Sequence, residues 1–409
     1  MDFYNPDYPL PEKGKKFTTW EKDSKYIAKI FASSCLPQSF YEYSKHFYFA
    51  AHTTAKFILS DAVHPVALDR YILPLAFLYR HSIELIMKSI VFQYVSSNYA
   101  RMAFVKDTSH DLSKILTVLE NVSPQNRSEN ELNWIRSYFS NISQIDKESD
   151  SFRYPFHIHM DKGTSVTSFR IKEIFDAQAS IDLVKFANKF EAVCEILKNW
   201  YLKSENRSIE WLDLQPSFIE DGGFYGSQAL IGSDYSKNKF FPYTSAYFDI
   251  ANYFKHCMKE QFDSGNHDEA NQLFLPMCYL YRNSVELSLK SMWFEDSDED
   301  FYICCEKMLD KKHSILGLWN LIKTHENKYT EIEEDNEFTK NLDAYCKQLH
   351  DFDCDASRFR YPAQKNMQPY FSKNRRFDFL TVATFMEALS NALECISSHM
   401  DYRNQYHLW

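Results

Sequence analysis

The sequence predicts an all-α protein of two homologous helical bundles, on three observations. Glycine supplies only 8 and proline 13 of 409 residues, far fewer than turn-rich all-β or low-complexity chains use. Apolar residues recur every three to four positions, the helical period, rather than every two. The chain is also written twice, and each copy holds enough apolar and aromatic residues to bury its own core.

The duplication is plainest at Pro74–Ser89, PLAFLYRHSIELIMKS, which matches Pro276–Ser291, PMCYLYRNSVELSLKS, at 9 of 16 positions without a gap. Four further blocks, one upstream and three downstream, recur in the same order. HFYFAA (His46–Ala51) pairs with YFDIAN (Tyr247–Asn252), and His110-Asp111-Leu112 pairs with His313-Ser314-Ile315. FRYP recurs identically at Phe152–Pro155 and Phe359–Pro362, and Phe186–Glu195 pairs with Phe385–Glu394.

Taken in order, residues 1–38 carry Pro6, Pro9 and Pro11 and read as an extended arm packing through Trp20. The first bundle, 39–203, holds helices near 39–59, 70–97, 110–121, 128–146 and 176–202. Val184, Ala187, Phe190, Cys194, Leu197 and Tyr201 form the buried stripe of its last helix. A linker at 204–240 concentrates four of the eight glycines, Gly222, Gly223, Gly226 and Gly232, and reads as a flexible boundary. The second bundle, 241–409, holds helices near 242–262, 268–295, 313–325, 330–350 and 374–402. Neither FRYP loop is helical, because proline holds the preceding tyrosine extended.

With 46 basic against 56 acidic residues, the formal charge of −10 repels polyanions overall, so contact with RNA must be local. The acid gathers at Asp296–Asp300 and Glu331–Glu337, which read as solvated helix ends or loops. Nine cysteines without a CxxC, no signal-peptide pattern and no long apolar run point to a reducing, cytoplasmic location away from membranes. Adjacent Cys304 and Cys305 read as half-buried thiols. Signatures of phosphate-binding loops, zincins and serine hydrolases are missing, so no cofactor is expected.

Several polar residues recur with the repeat. Arg80, Glu84 and Lys88 return as Arg282, Glu286 and Lys290, spaced i, i+4, i+8 on one helix face. They read as an intrahelical ion-pair ladder, partly buried because the residues between them are apolar. His110 and His313 sit at helix starts, to cap the helix or hydrogen-bond across the bundle. Arg153 and Arg360 share identical FRYP loops, but only the first continues into His157-Ile-His159-Met-Asp161.

An Arg beside a His is a workable pair for RNA cleavage without metal. Imidazole exchanges the ribose 2′-OH and leaving-group protons near neutral pH, while guanidinium stabilises charge on the phosphate. The competing reading has Arg153 and Arg360 bonded to a backbone carbonyl or to a helix carboxylate such as Glu84 or Glu286. His157, His159 and Asp161 alternate as metal ligands would, yet no second cluster completes a site, and no metal is expected.

The LYRHSIELIMKS helix, the His-Asp-Leu helix start and the FRYP loop before the last helix resemble the HEPN superfamily, here in tandem over 39–202 and 242–402. The resemblance implies up-and-down helical bundles that pair, within this chain as an internal pseudo-dimer. It further implies a metal-independent ribonuclease of a bacterial toxin or phage-defence system, with an antitoxin or other protein partner and a possible homodimer. Catalytic members carry an Arg followed shortly by a His, the spacing of Arg153 and His159, with His157 as substitute. Their sites join two such sets across a dimer, and here the second set offers only Arg360, as a phosphate-binding residue. Arg80, Glu84, Arg282, Glu286, His110 and His313 would form a supporting polar network. The alternative is a non-catalytic tandem module binding RNA, a nucleotide or a protein.

Overall fold

The computed structural model describes all residues except 1–7, 21, 61–62, 124–126, 163–166, 176, 205–212, 233–237, 328–335 and 407–409. It is mostly helical, with small two-stranded sheets only. The first half contains α1 (Leu36–Ile58), α2 (Leu68–Tyr94), α3 (Asn98–Thr108), α4 (Leu112–Val122), α5 (Glu129–Ile145) and α6 (Leu183–Leu202). The second repeats the order with α7 (Phe241–Ser264), α8 (His267–Ser291), α9 (Phe301–Lys311), α10 (Ile315–Glu326), α11 (Glu337–Phe352) and α12 (Phe379–Tyr406).

Each half therefore has six helices among the described residues, not five. The extra pair, α3 and α9, escapes the apolar spacing because so little of either is buried: Phe104 and Thr108 in one, Cys304, Cys305 and Met308 in the other. The helix expected over 70–97 stops at Tyr94, and the one expected over 268–295 passes at Met292–Asp296 into a π-helical turn. Of the expected solvated acid, Asp296 is instead buried and accepts from Ser397 at 2.7 Å, while Glu331–Asp335 lie outside the described residues.

Central helices α2 and α8 are buried on all sides from Ile72 to Phe92 and from Leu273 to Leu287. Each packs along the helix before it, α1 or α7, and α2 also meets α7 as α1 meets α8. The core is consequently continuous between halves, with Phe77 stacked on Tyr279 at 4.7 Å. One helix, α12, is long and apolar enough to span a membrane by length and composition, and half of its most apolar stretch is buried. It packs on α8 as α6 packs on α2.

The last helices begin later than 176 and 374, because short strands precede them. Strand β4 (Ala179–Asp182) leads into α6, and β6 (Arg375–Asp378) into α12, with Asp182 and Asp378 accepting the first helical amides. These caps align Glu191 with Glu387, three residues off the pairing read from Phe186–Glu195 and Phe385–Glu394. Burial agrees, matching Phe186, Ala187, Phe190, Val193 and Leu197 to Val382, Ala383, Met386, Leu389 and Leu393. Likewise Phe47 and Tyr247 are equivalent: Phe47 meets Tyr279 at 6.5 Å and Tyr247 meets Phe77 at 6.3 Å. A slip of one or three residues leaves an apolar stripe partly intact, so hydrophobic matching resolves it poorly.

The arm and linker are equivalents of one another, and each packs on the far half. Strand β1 (Ile27–Ile30), ahead of the first half, pairs antiparallel with β6 of the second, Ile27 opposite Asp378. Strand β5 (Gln228–Ile231), ahead of the second half, pairs with β4 of the first, Gln228 opposite Asp182. Phe17 lies between Phe352 and Phe385, while Phe218 packs on Phe152, Phe186 and Phe190. Trp20 is 44% exposed, so Phe17 rather than Trp20 anchors the arm. The glycine-rich segment read as a flexible boundary includes β5 itself. Gly232 ends that strand at φ +73°, where a side-chain Cβ would lie 2.2 Å from the Ala177 carbonyl oxygen.

Candidate functional site

The recurrent ladder forms two buried carboxylate centres. In the first, Glu84 is fully buried and accepts from Arg80 at 3.1 Å and from Lys88 at 2.7 Å, with His110 Nδ1 at 3.1 Å. In the second, Glu286 is equally buried, pairs with Arg282, accepts from Lys290 at 2.7 Å and meets His313 Nδ1 at 2.9 Å. Both arginines also donate to the backbone carbonyl of that histidine. The histidines stand just before the helix starts, while Asp111 and Ser314 do the capping.

Burial alone would raise both glutamates, but Lys88 and His110 at one, and Lys290 and His313 at the other, outweigh it and hold them well below the ordinary carboxylate range. For the histidines, Glu84 and Glu286 pull upward. Desolvation together with neighbouring Lys and Arg charges prevails, so His110 and His313 lie below their usual value.

The fourth partner of each glutamate comes from the other half. Tyr361 of the second FRYP loop donates to Glu84 at 2.8 Å, and Tyr154 of the first donates to Glu286 at 2.9 Å. These tyrosines are absent from the residues singled out in the sequence. Their signal is the identity of FRYP in both copies, which reads more readily through its arginine.

The FRYP arginines do not reach those glutamates. Arg153 is 3% exposed, donating through Nε to the Ser149 carbonyl at 2.6 Å and pairing with Asp150. Arg360, 5% exposed, donates through Nε to the Ala356 carbonyl at 2.6 Å. Ser149 and Ala356 both take left-handed backbone, at φ 64° and 60°, so the two loops share one conformation that turns a carbonyl onto the guanidinium. Arg153 also lies over the Phe77 and Tyr154 rings, as Arg360 lies over Tyr279 and Tyr361. Burial would raise the Asp150 carboxyl, but Arg153, foremost, and His157 hold it below the usual range.

After FRYP the halves diverge. The first forms a hairpin of β2 (Phe156–Lys162) and β3 (Thr167–Glu173), where a helix-free loop was expected. His157 on β2 is half-buried and His159 is exposed, their ring centres 6.4 Å apart. Asp161 pairs with Arg170 at 3.1 Å across the hairpin, so the His-x-His-x-Asp alternation spends its carboxylate on an arginine. The hairpin reaches the second half, Phe169 meeting Tyr302 at 4.7 Å. Arg153, His159 and Arg360 therefore do not share one open cleft: both arginines are inside the protein and His159 is outside.

No family model, curated protein or solved structure matches the chain.

Proposed function

We propose that the chain is a tandem HEPN-like protein whose two halves form an internal pseudo-dimer, and that it works as a non-catalytic binding module rather than as a ribonuclease. The observation that carries this reading is the reciprocal use of the FRYP loops. Their tyrosines close the buried carboxylate centres of the opposite halves, and their arginines are spent on backbone carbonyls. A guanidinium so held is part of the core and has no open path to a phosphate. With a net charge of −10, the surface favours a protein or small-molecule partner over RNA.

The test is incubation of purified full-length protein with total tRNA and mRNA in EDTA, beside a His157→Ala/His159→Ala variant. The expected result is no cleavage by either. Cleavage by the wild type that disappears in the variant would overturn the reading in favour of a metal-independent nuclease.

A further inference from the structure

Between α1 and α6 lies a cavity of about 620 Å³ that belongs to neither carboxylate centre. Tyr41, Tyr48, Ser82, Glu191, Cys194 and Glu195 contribute to its lining. Glu191 accepts from Tyr79 at 2.6 Å and from Tyr48, and meets His52 Nδ1 at 2.8 Å. Burial and the Glu191 charge push the Tyr79 hydroxyl far above the ordinary phenol range, which keeps it a donor. No lysine or arginine pairs with Glu191 among the described residues.

The second half treats the same position differently. Glu387 is the counterpart of Glu191, and Tyr281, the counterpart of Tyr79, donates to it at 3.4 Å. Here the Lys255 ammonium pairs with the carboxylate. Lys255 stands three residues beyond Asn252, the counterpart of His52, and the corresponding residue of α1 is Ala55. Glu195 corresponds to Asn391, whose amide donates to the Pro9 carbonyl at 2.8 Å; the linker stretch equivalent to Pro9 lies outside the described residues. One half therefore seats an ammonium of its own on this glutamate, while the other keeps the glutamate beside a cavity.

We propose that the α1–α6 cavity binds a small organic ammonium, specifically an alkyl diamine. Glu191 takes one ammonium in the place that Lys255 fills at Glu387. Glu195, four residues on and about 6 Å along the helix, takes the second. The Tyr48 ring supplies an aromatic face for the alkyl chain, while Tyr41, stacked on Tyr201 at 3.9 Å, walls the cavity. Lys45 is paired with Glu42 at 2.6 Å, and Lys198, like Glu195, is exposed at the mouth of the cavity. The inference goes beyond the binding-module reading and does not depend on it.

Isothermal titration of the full-length protein with butane-1,4-diamine tests the proposal, with butylamine and butyrate as probes of each feature. One diamine is expected per chain, butylamine binds more weakly, and butyrate does not bind. Glu191→Gln weakens both amines at least tenfold, whereas Glu195→Gln reduces the diamine to the level of butylamine. Ala55→Lys installs the second half's ammonium and abolishes diamine binding, with circular dichroism checking the fold. Absence of diamine binding by the wild type, or binding that Glu191→Gln leaves unchanged, overturns the proposal even if Ala55→Lys fails to fold.

Discussion

Tyr154 of the first half donates its hydroxyl to the fully buried Glu286 of the second at 2.9 Å, and Tyr361 repays the contact at Glu84. Each half thereby completes the other's polar core. The arrangement explains why FRYP recurs unchanged while the residues after it differ so much.

Tyr154→Phe isolates the hydroxyl, because the ring stays in place beneath Lys290, 4.3 Å from its centre. Losing a hydrogen bond to a buried charged group costs about 1.5–3 kcal/mol. Urea unfolding should show a midpoint lowered accordingly, and Tyr361→Phe should behave alike. An unchanged midpoint in both would mean the exchange contributes nothing.

Glu286→Gln should be more damaging, since it leaves Lys290 in the core without its counter-charge and Arg282 with only Asp353, 3.6 Å from its Nε. Breaking such a pair costs about 3–5 kcal/mol. Because the folded carboxyl lies well below its ordinary value of 4.5, the stability it contributes is present above that value and is lost as pH falls through the folded one. The gap between wild type and variant should therefore be widest near neutrality and narrow in acid. A gap independent of pH would contradict the assignment of the charge.

His81 offers a milder test. Its Nε2 meets the Arg360 carbonyl at 3.0 Å, its Nδ1 is buried without a hydrogen-bond partner, and desolvation lowers its pKa well below 6.5. The unfolded chain takes up this proton first, so stability falls as pH drops below 6.5, by up to about 1.4 kcal/mol per pH unit until the folded value is reached. The second half carries Asn283 at this position. His81→Asn should fold and lose this part of the acid sensitivity in thermal melts run from pH 7 to pH 5. Parallel melting curves for the two proteins would remove His81 as the titrating group.

The helical class, the duplication and the polar ladder were legible in the sequence because each leaves a local, periodic trace. Arg80, Glu84 and Lys88 lie four residues apart, and burial of the apolar residues between them follows from the same spacing. The exchange of Tyr154 and Tyr361 leaves no such trace, since it joins residues 132 and 277 positions from their partners. The sites of Arg153 and Arg360 were half legible: a backbone carbonyl was foreseen as a partner, the glutamates were not theirs. Strands β1 and β5, four residues each, are too short for alternation to announce them, and their pairing across halves is purely tertiary.

That crossed pairing makes a directional prediction. Phe17 belongs by sequence to the first half yet packs 5.1 Å from Phe352 and 5.2 Å from Phe385 in the second, and truncating a buried Phe costs about 3–5 kcal/mol. In Phe17→Ala, hydrogen exchange should accelerate at Ile27–Ile30 and at Arg375–Asp378, the ladder beside the cavity so made, while Ala179–Asp182 and Gln228–Ile231 keep their protection. Phe218→Ala should do the reverse, loosening β4 and β5 and sparing β1 and β6. If Phe17→Ala instead exposed β4, the arm would pack on its own half and the crossing would be wrong.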